Sequence, residues 1–440
     1  MLTFTTNLLW QQLRQLTSSE KLLVAYSGGL DSHVLLSSLV KLREQYPTLQ
    51  LQAVHVNHGL SPHAGQWARF TEQICQQWQV AYTLCTIAID STSGISLEAA
   101  ARQARYKVLA ELLKTDACLL TAHTQSDQAE THLLQLLRGA GPQGLAAMPT
   151  CRPFGKGLHA RPLLSFTRSA LQTYALNQEL KWIEDESNYK LKFDRNYVRH
   201  CLMPIIEQRW PSAITTLARS AQHCAEASEL LTELAQQDWQ FLRGSIPDTL
   251  IISKLQQLGF TQQCNVLREW LKNLGFNLPS TIKLHQIIHE VLASRPDAQP
   301  QVTWNGVEIR RFRDLLFAIK PLVHTPSPTA LTWDLQQPLL LPNDLGILTV
   351  LPSSPPLQQL KNADRLTLRF RQGGEVCHPF GRQGTHTLKK LFQEWDIPPW
   401  QRNRIPLLFN DEQLIAVIGY CVCAEYREKM GDYQIIWQNG

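Results

Sequence analysis

Residues 27–32 read Ser-Gly-Gly-Leu-Asp-Ser, and these residue types in this order suit an anion. Gly28 and Gly29 let the backbone approach a charged group closely, and Ser27 and Ser32 offer hydroxyl donors. The apolar run KLLVAY (21–26) before them has strand length, and HVLLSSLVKLREQ (33–45) after them has helical spacing. A helix starting here aims its free N–H groups and positive dipole end at the turn. The chemistry implied is phosphate binding. The G-x-x-x-x-G-K-S/T loop is absent, and no lysine stands in the turn to hold a terminal phosphate. Asp31 then sets a negative charge beside the anion. Either Mg²⁺ lies between them, or the carboxylate meets another group of the substrate. An ordinary glycine-rich turn would need neither the flanking serines nor the aspartate.

Other candidates follow in the same region. His55 and His58 flank the end of a strand-like run, and His123 closes another. Asp127 and Glu130 are three apart at a helix start, which puts both carboxylates near one face. The same D-x-x-E spacing fits a capping box, with Asp127 as the cap and Glu130 reaching back. Both readings stand at this level. One residue can do both jobs, but not with the same oxygen. Arg102 and Arg105 share a long helix pattern with Glu98, which is the look of a solvated, salt-bridged face. Arg195 and Asn196 lie in a polar stretch before a helix.

These groups need elements to position them. LQAVHVNH (51–58), VAYTLCTIAI (80–89) and ACLLTAH (117–123) read as strands. GQWARFTEQICQQW (65–78), SLEAAARQARYKVLAELLK (96–114) and DQAETHLLQLLRG (127–139) read as helices. Such alternation predicts an α/β domain with a parallel, doubly wound sheet, covered on both faces. Ligands bind these sheets at the C-terminal strand ends. SGGLDS, HVNHG and TAH fall at three of those ends. From about residue 210 helical patterns take over, as in 211–242. QVTWNGVEIRRFRDLLFAI (301–319) reads as a hairpin turning at Asn305-Gly306. The division expected is 1–209 catalytic, 210–320 helical, 321–344 a proline-rich linker, and 345–440 a small mixed α+β domain.

The chain has 440 residues, 44% hydrophobic and 18% charged, which fits about three domains without staples. The first residues read as an amphipathic surface helix and not a signal peptide, and no apolar run reaches bilayer length, so a cytoplasmic protein with no membrane partner is expected. None of the ten cysteines forms a C-x-x-C pair. Cys421 and Cys423 share a strand face, and their plain reading is small apolar side chains. Cys377 beside His378 is a metal hint without partners, so no metal ligands are assigned. The net charge is +5, and Lys361–Arg404 alone, with nine Lys and Arg against four Asp and Glu, supplies all of it.

SGGLDS resembles the PP-loop of the N-type ATP pyrophosphatases, which cleave ATP to AMP and pyrophosphate. HVNHGL (55–60), LEAAARQARY (97–106), TAHTQSDQAET (121–131), RPLL (161–164) and EDESNYKLKFDRNYVRHCLMP (184–204) resemble, in order, segments of the tRNA(Ile)-lysidine synthetase family. RFRQGGE (369–375) and LKKLFQEWDIPPWQRNRIPLL (388–408) are similar to that family's C-terminal domain. The resemblance implies a Rossmann-like PP-loop ATPase domain. It implies a ligase that uses ATP and Mg²⁺ to adenylate C2 of the wobble cytidine of the CAU-anticodon isoleucine tRNA. L-lysine then displaces AMP, and the tRNA changes from methionine to isoleucine specificity. For this chain it implies Asp31 as catalytic. Ser27, Gly28, Gly29, Leu30, Asp31, Ser32, His55 and Arg105 would bind ATP, Asp127 and Glu130 would bind lysine, and Arg195 would bind tRNA. Where relatives carry a second His and an Arg, this chain has Thr124 and Ser61.

The basic segment interleaves Phe370, Phe380, Phe392, Trp395 and Trp400 with its cations. Such a mixture is either an RNA surface or a small core with a solvated face. The uneven charge favours RNA contact for Arg369, Arg371, Lys389, Lys390 and Arg402. A tRNA thiolase would want a working cysteine or C-x-x-C near the loop, and a glutamine-dependent synthetase an ammonia-producing domain. A non-catalytic nucleotide-binding module would need neither Asp31 nor a basic C-terminal domain. Whether the chain forms a homodimer is left open by the sequence.

Overall fold

The computed structural model describes residues 3–59, 61–87, 97–295, 298–321, 330–335, 337–342, 345–351, 366–426 and 434–438. Leu60 and Ser96, named in the patterns above, and Lys361 and Arg365 of the basic segment lie outside them, as do 88–89 of the third strand pattern. Two compact units are present, Met1–Glu233 and Leu234–Gly440.

The first unit runs α1 (Thr6–Leu16), β1 (Lys21–Ala25), α2 (Leu30–Gln45), β2 (Gln50–Asn57), α3 (Ala64–Gln77), β3 (Ala81–Thr86), α4 (Leu97–Leu112), β4 (Ala117–Leu120) and α5 (Gln125–Leu137). It continues with the single turn α6 (Pro142–Leu145), β5 (Cys151–Phe154), β6 (Gly157–Ala160), α7 (Arg168–Asn177), α8 (Asp194–Tyr197) and α9 (Met203–Arg209). The division between units falls within α10 (Ala213–Leu242).

The sheet order is β3-β2-β1-β4-β6-β5, parallel throughout except for β5 against β6. The β5–β6 hairpin has no counterpart among the expected elements. Alternate residues of each central strand serve opposite cores, as a doubly wound sheet requires. Leu22 and Val24 of β1, Leu51 and Ala53 of β2, and Cys118 and Leu120 of β4 pack with Leu9, Leu13, Leu35, Leu36, Leu39 and Phe166. Leu23, Val54 and Leu119 face the other way, against Leu109 and Leu113. Each such leucine contributes about 2 kcal/mol by leaving water. That double burial is why these strands read as unbroken apolar runs. Because β1, β2, β3, β4 and β6 run parallel, their C-terminal ends share one edge.

The second unit contains β7 (Leu250–Ile251), α11 (Ile252–Leu255), α12 (Phe260–Asn273), α13 (Thr281–Gln286), β8 (Gln301–Trp304), β9 (Val307–Phe312) and β10 (Leu315–Ile319). The expected 301–319 hairpin is a three-stranded meander, joined by β7 in the order β7-β10-β9-β8. Asn305 and Gly306 both have positive φ, 36° and 76°, so the turn lies where it was expected. The 210–320 region is therefore mixed, not purely helical.

Beyond it come β11 (Leu331–Thr332), β12 (Leu339–Leu340), β13 (Ile347–Leu351), β14 (Leu366–Arg369), β15 (Val376–Cys377), β16 (His386–Thr387), α14 (Leu388–Glu394), α15 (Pro399–Arg402), β17 (Leu407–Asn410), β18 (Gln413–Val417), β19 (Cys421–Val422) and β20 (Gln434–Gln438). The stretch expected as a linker is corrected in its second half. Trp333, Leu335 and Leu341 are buried in the same core as Leu368, Phe392 and Leu408, and β11 pairs with β14. Its residues 322–329 lie outside the described residues.

Candidate active site

Tyr26 extends β1 by one bond, its N–H donating to Val54 O at 2.8 Å, and then the chain turns. Gly28 has φ +81°, and a Cβ there would stand 2.5 Å from Ile183 Cδ1 and 2.9 Å from Thr71 Cγ2. Both the backbone and the space therefore demand glycine. Ile183 N–H donates to Gly28 O at 2.9 Å, which ties the loop to the 180–185 segment. The serines hold the loop's shape. Ser32 Oγ lies 3.0 Å from Ser27 Oγ and donates to Gly29 O at 3.0 Å, while Gly29 N–H donates to Ser27 Oγ at 3.3 Å. Gly29 stands at the cap position of α2 and offers no side-chain cap, so the helix's first N–H groups are left open toward the loop. The Leu30 side chain is buried in the core, so only its backbone can meet a ligand.

Asp31, in the first turn of α2, has Oδ1 buried without a hydrogen-bond partner. Burial pushes its carboxyl up to about 7, with the charge of Asp127, and less that of Glu130, adding to the rise and Arg168 and Arg199 opposing it. The Asp31 carboxyl thus feels the charge of two others.

Those two are built by α5. The helix starts at Gln125, so the capping box is not the expected one. Thr124 is the cap, accepting from Asp127 N–H at 3.4 Å, and Asp127 Oδ2 reaches back to Thr124 N–H at 2.8 Å. The departure from the family pattern at Thr124 thus has a structural use. Asp127 does divide its oxygens. Its Oδ1 accepts from Arg195 Nη2 at 2.9 Å and Arg199 Nη2 at 2.8 Å. Glu130, one turn on, accepts from Arg195 Nε at 3.0 Å and from Arg199 Nε and Nη2 at 2.6 and 2.8 Å. Burial works against the ionised Asp127 carboxyl, but Arg195, His123 and Arg199 outweigh it and draw it down to about 2. Arg195 stands on α8, and Arg199 on the π-helical turn Val198–Leu202 that leads from α8 into α9. A cavity of about 160 Å³ opens beside this cluster, lined by Glu130, Arg168, Arg199 and Met203 among others. Arg168 and Arg199 were not among the sequence candidates. The four-residue spacing of Arg195 and Arg199 was the available signal.

His55 is buried and donates Nδ1–H to Tyr26 O at 3.0 Å, so it braces the strand end, and burial holds its pKa down. His58 Nδ1 is buried without a partner, and burial, with help from Arg105 and His55, pulls its pKa down to about 4. Arg105 is half-buried, and burial lowers its pKa. Arg102 and Arg195 stand near it, and its guanidinium lies 5.5 Å from the Tyr106 ring centre. Neutral histidines and gathered guanidinium groups make this wall attractive to an anion. Asn196 is engaged elsewhere, donating to Ser187 O at 2.9 Å and Lys190 O at 3.1 Å. Among the described residues no three His, Cys, Asp or Glu are placed to hold a metal ion.

In the second unit the basic segment separates into core and surface. Phe370 and Phe392 are buried and Trp395 packs on them, whereas Phe380 is 62% exposed. Trp400 meets Phe317 edge-on at 5.3 Å. Arg369 is clamped by Glu412 at 2.8 and 3.0 Å and lies over Phe409. Arg371 is 3.9 Å from Glu375, and Arg402 Nε–H donates to Ile397 O at 2.9 Å. Lys389 and Lys390, at the start of α14, are exposed.

A PP-loop domain model matches residues 3–206, a TilS substrate binding domain 250–317, and a TilS substrate C-terminal domain 366–437. The chain is 44% identical to a tRNA(Ile)-lysidine synthase of Coxiella burnetii over 428 residues, 97% of this chain and 94% of that protein. It is 42% identical to one from Legionella pneumophila (strain Paris) over 411 residues, covering 93% of each. Among solved structures, a U34-tRNA thiolase from Methanococcus maripaludis superposes with a TM-score of 0.43 at 17% identity, over 50% of this chain and 77% of its own.

Proposed function

The chain belongs to the tRNA(Ile)-lysidine synthase family, and on that premise we propose how its own residues divide the work. It is an ATP-using ligase that forms lysidine at the wobble cytidine of isoleucine tRNA. The α-phosphate of ATP is attacked by the C2 carbonyl oxygen of that cytidine, and pyrophosphate leaves. The ε-nitrogen of lysine then attacks C2, and AMP leaves.

The PP-loop, Ser27–Ser32, takes the phosphates on its N–H groups and the open first turn of α2. Arg105 supplies positive charge, and His55 fixes the strand end behind the loop. Asp31 is the residue that would hold Mg²⁺, which would screen the phosphate charge. Its buried, unpartnered Oδ1 fits that use, and one carboxylate plus substrate phosphates is an ordinary magnesium environment. Asp127 and Glu130 hold the lysine ammonium, and Arg195 and Arg199 meet the tRNA backbone at the cleft. Of the tRNA candidates, Lys389 and Lys390 are the exposed ones and stand open to tRNA phosphate. Arg369, Arg371 and Arg402, each engaged with the protein's own oxygens, shape that surface. The boundaries 1–209, 210–320 and 345–440 enclose the three matched family segments, which supports them as functional divisions, now with 330–342 counted in the last. No helix among the described residues is long and apolar enough to cross a membrane, and we place the enzyme in the cytoplasm with its tRNA.

The observation that supports this reading is the buried, unpartnered Oδ1 of Asp31 in the PP-loop, whose carboxyl is raised by burial and by the charges of Asp127 and Glu130 on α5. The test is incorporation of radiolabelled lysine into an isoleucine tRNA transcript with a CAU anticodon, given ATP and Mg²⁺. Methionine tRNA, which shares the anticodon, is the control. Label on the isoleucine transcript alone is expected. ATP cleavage to AMP without lysine label would overturn the assigned nucleophile.

A further inference from the structure

Three of the ten cysteines meet in the second unit, at a place the ligation does not use. Cys377 ends β15, Cys421 starts β19 and Cys423 follows it. The strands are drawn together by Phe380 N–H donating to Val422 O at 3.0 Å and Ala424 N–H to His378 O at 2.8 Å. Cys377 Sγ lies 2.8 Å from Cys423 Sγ and 3.8 Å from Cys421 Sγ. Cys377 and Cys423 are buried, and Cys421 is partly exposed. The trio differs from the other buried thiols. Burial pushes Cys75 and Cys118 up to about 12. At the trio the contacts with the Cys377 sulfur hold Cys421 and Cys423 below the usual thiol range against the effect of burial, and Arg382 helps at Cys421. Cys377 is raised by its contacts with the other two sulfurs and by burial.

We propose that Cys377, Cys421 and Cys423 form a thiol–disulfide exchange site for small-molecule disulfides, with Cys421 as the entry and Cys377 as the shared resolving thiol. Cys421 gives its proton to solvent, and its thiolate attacks one sulfur of a disulfide RS–SR, forming a mixed disulfide and expelling RS⁻, which takes up a proton from solvent. Cys377 then attacks the Cys421 sulfur, forming a Cys377–Cys421 bridge. Its proton passes to the second RS⁻ as that group leaves. One disulfide is reduced to two thiols, and two protein thiols are oxidised to one bridge. Cys423, closer still to Cys377, can attack its sulfur and release Cys421, moving the bridge into the core. Either bridge closes a loop that contains Lys389, Lys390 and Arg402.

The full chain is treated with glutathione disulfide, denatured, alkylated and mapped by mass spectrometry. The expected product carries two fewer alkyl labels than the reduced chain, with Cys377 joined to Cys421 or Cys423. Cys377→Ser should form no bridge and keep a glutathione adduct on Cys421. Because Cys377 is buried, the half-exposed Cys421→Ser gives an independent reading, a bridge formed at least ~10-fold more slowly. Full labelling after treatment, a bridge elsewhere, or an unchanged rate in Cys421→Ser would overturn the proposal.

Discussion

Asp31 is where catalysis and stability pull against each other, and Asp31→Asn separates them. Asparagine has the same shape and never ionises. In the folded chain the Asp31 carboxyl is pushed from its ordinary 3.8 up to about 7. At about 1.36 kcal/mol per pH unit, that rise places a ceiling near 4 kcal/mol on the cost of the ionised form. The residue keeps partial solvent contact, so about 2 kcal/mol is the working figure. The sign follows from proton binding. Below 3.8 the carboxyl is protonated in folded and unfolded chains alike, and no penalty exists. Between 3.8 and about 7 the unfolded chain ionises first, so wild-type stability falls as pH rises. Above that window the whole penalty is present. The variant should match wild type at about pH 4 and exceed it by ~2 kcal/mol at about pH 8. Urea unfolding of both proteins, followed by far-ultraviolet circular dichroism across that range, measures the gap. Mg²⁺ with ATP should narrow it by stabilising the wild-type carboxylate, while pyrophosphate release by the variant is lost. A gap that does not change with pH, or no gap, would mean that Asp31 is ionised and satisfied in the fold.

The two loop glycines should part company in the same assay. Gly28→Ala meets Ile183 and Thr71 at a φ of +81°, and should cost at least about 2 kcal/mol. Gly29→Ala finds nothing nearer than Ser27 Oγ at 3.5 Å. It should fold as wild type and lose ATP affinity, measured by equilibrium binding; wild-type affinity would mean the phosphates never approach that backbone closely. Lys389→Ala with Lys390→Ala should weaken tRNA binding and lower its salt slope by about one unit per lost contact. Arg369→Ala should leave the slope unchanged, since Glu412 already holds that guanidinium.

What could be read from the sequence follows from how each feature is encoded. The central strands were legible because double burial writes an unbroken apolar run. The β5–β6 hairpin, CRPFGKGLHA, is short and half polar, and its place beside β4 depends on tertiary pairing. The 330–342 stretch reads as linker because prolines and polar residues dilute it, yet Trp333, Leu335 and Leu341 reach a core that no local pattern announces. Two capping boxes overlap at α5, T-x-x-D and D-x-x-E, and only the register of the whole helix chooses between them. The Arg369–Glu412 pair is invisible in the basic segment because Glu412 lies outside it. Arg199 is hidden by the same distance between partners. An arginine near a helix end is unremarkable until the fold brings carboxylates from far along the chain against it.

That last contact bears on the order of the reaction. Asp127 and Glu130 accept five hydrogen bonds from Arg195 and Arg199, and the two charges of each sign balance. A lysine ammonium entering this cluster would add a third cation and find its acceptors taken. Room is made only if the arginines turn toward new anions. ATP and the tRNA backbone are the anions the reaction brings, and Arg199 already feels the charge of Asp31 in the PP-loop. Lysine should therefore bind at least ~10-fold more weakly to the protein alone than to its complex with tRNA and a non-hydrolysable ATP analogue, a coupling of about 1.4 kcal/mol. Arg199→Met, with one competitor removed, should raise lysine affinity for the protein alone while lowering stability by about 3 kcal/mol. Isothermal titration with lysine reads both. Equal lysine affinity in the free and loaded enzyme would mean that the ammonium binds outside this carboxylate pair, and the assignment of Asp127 and Glu130 would fall.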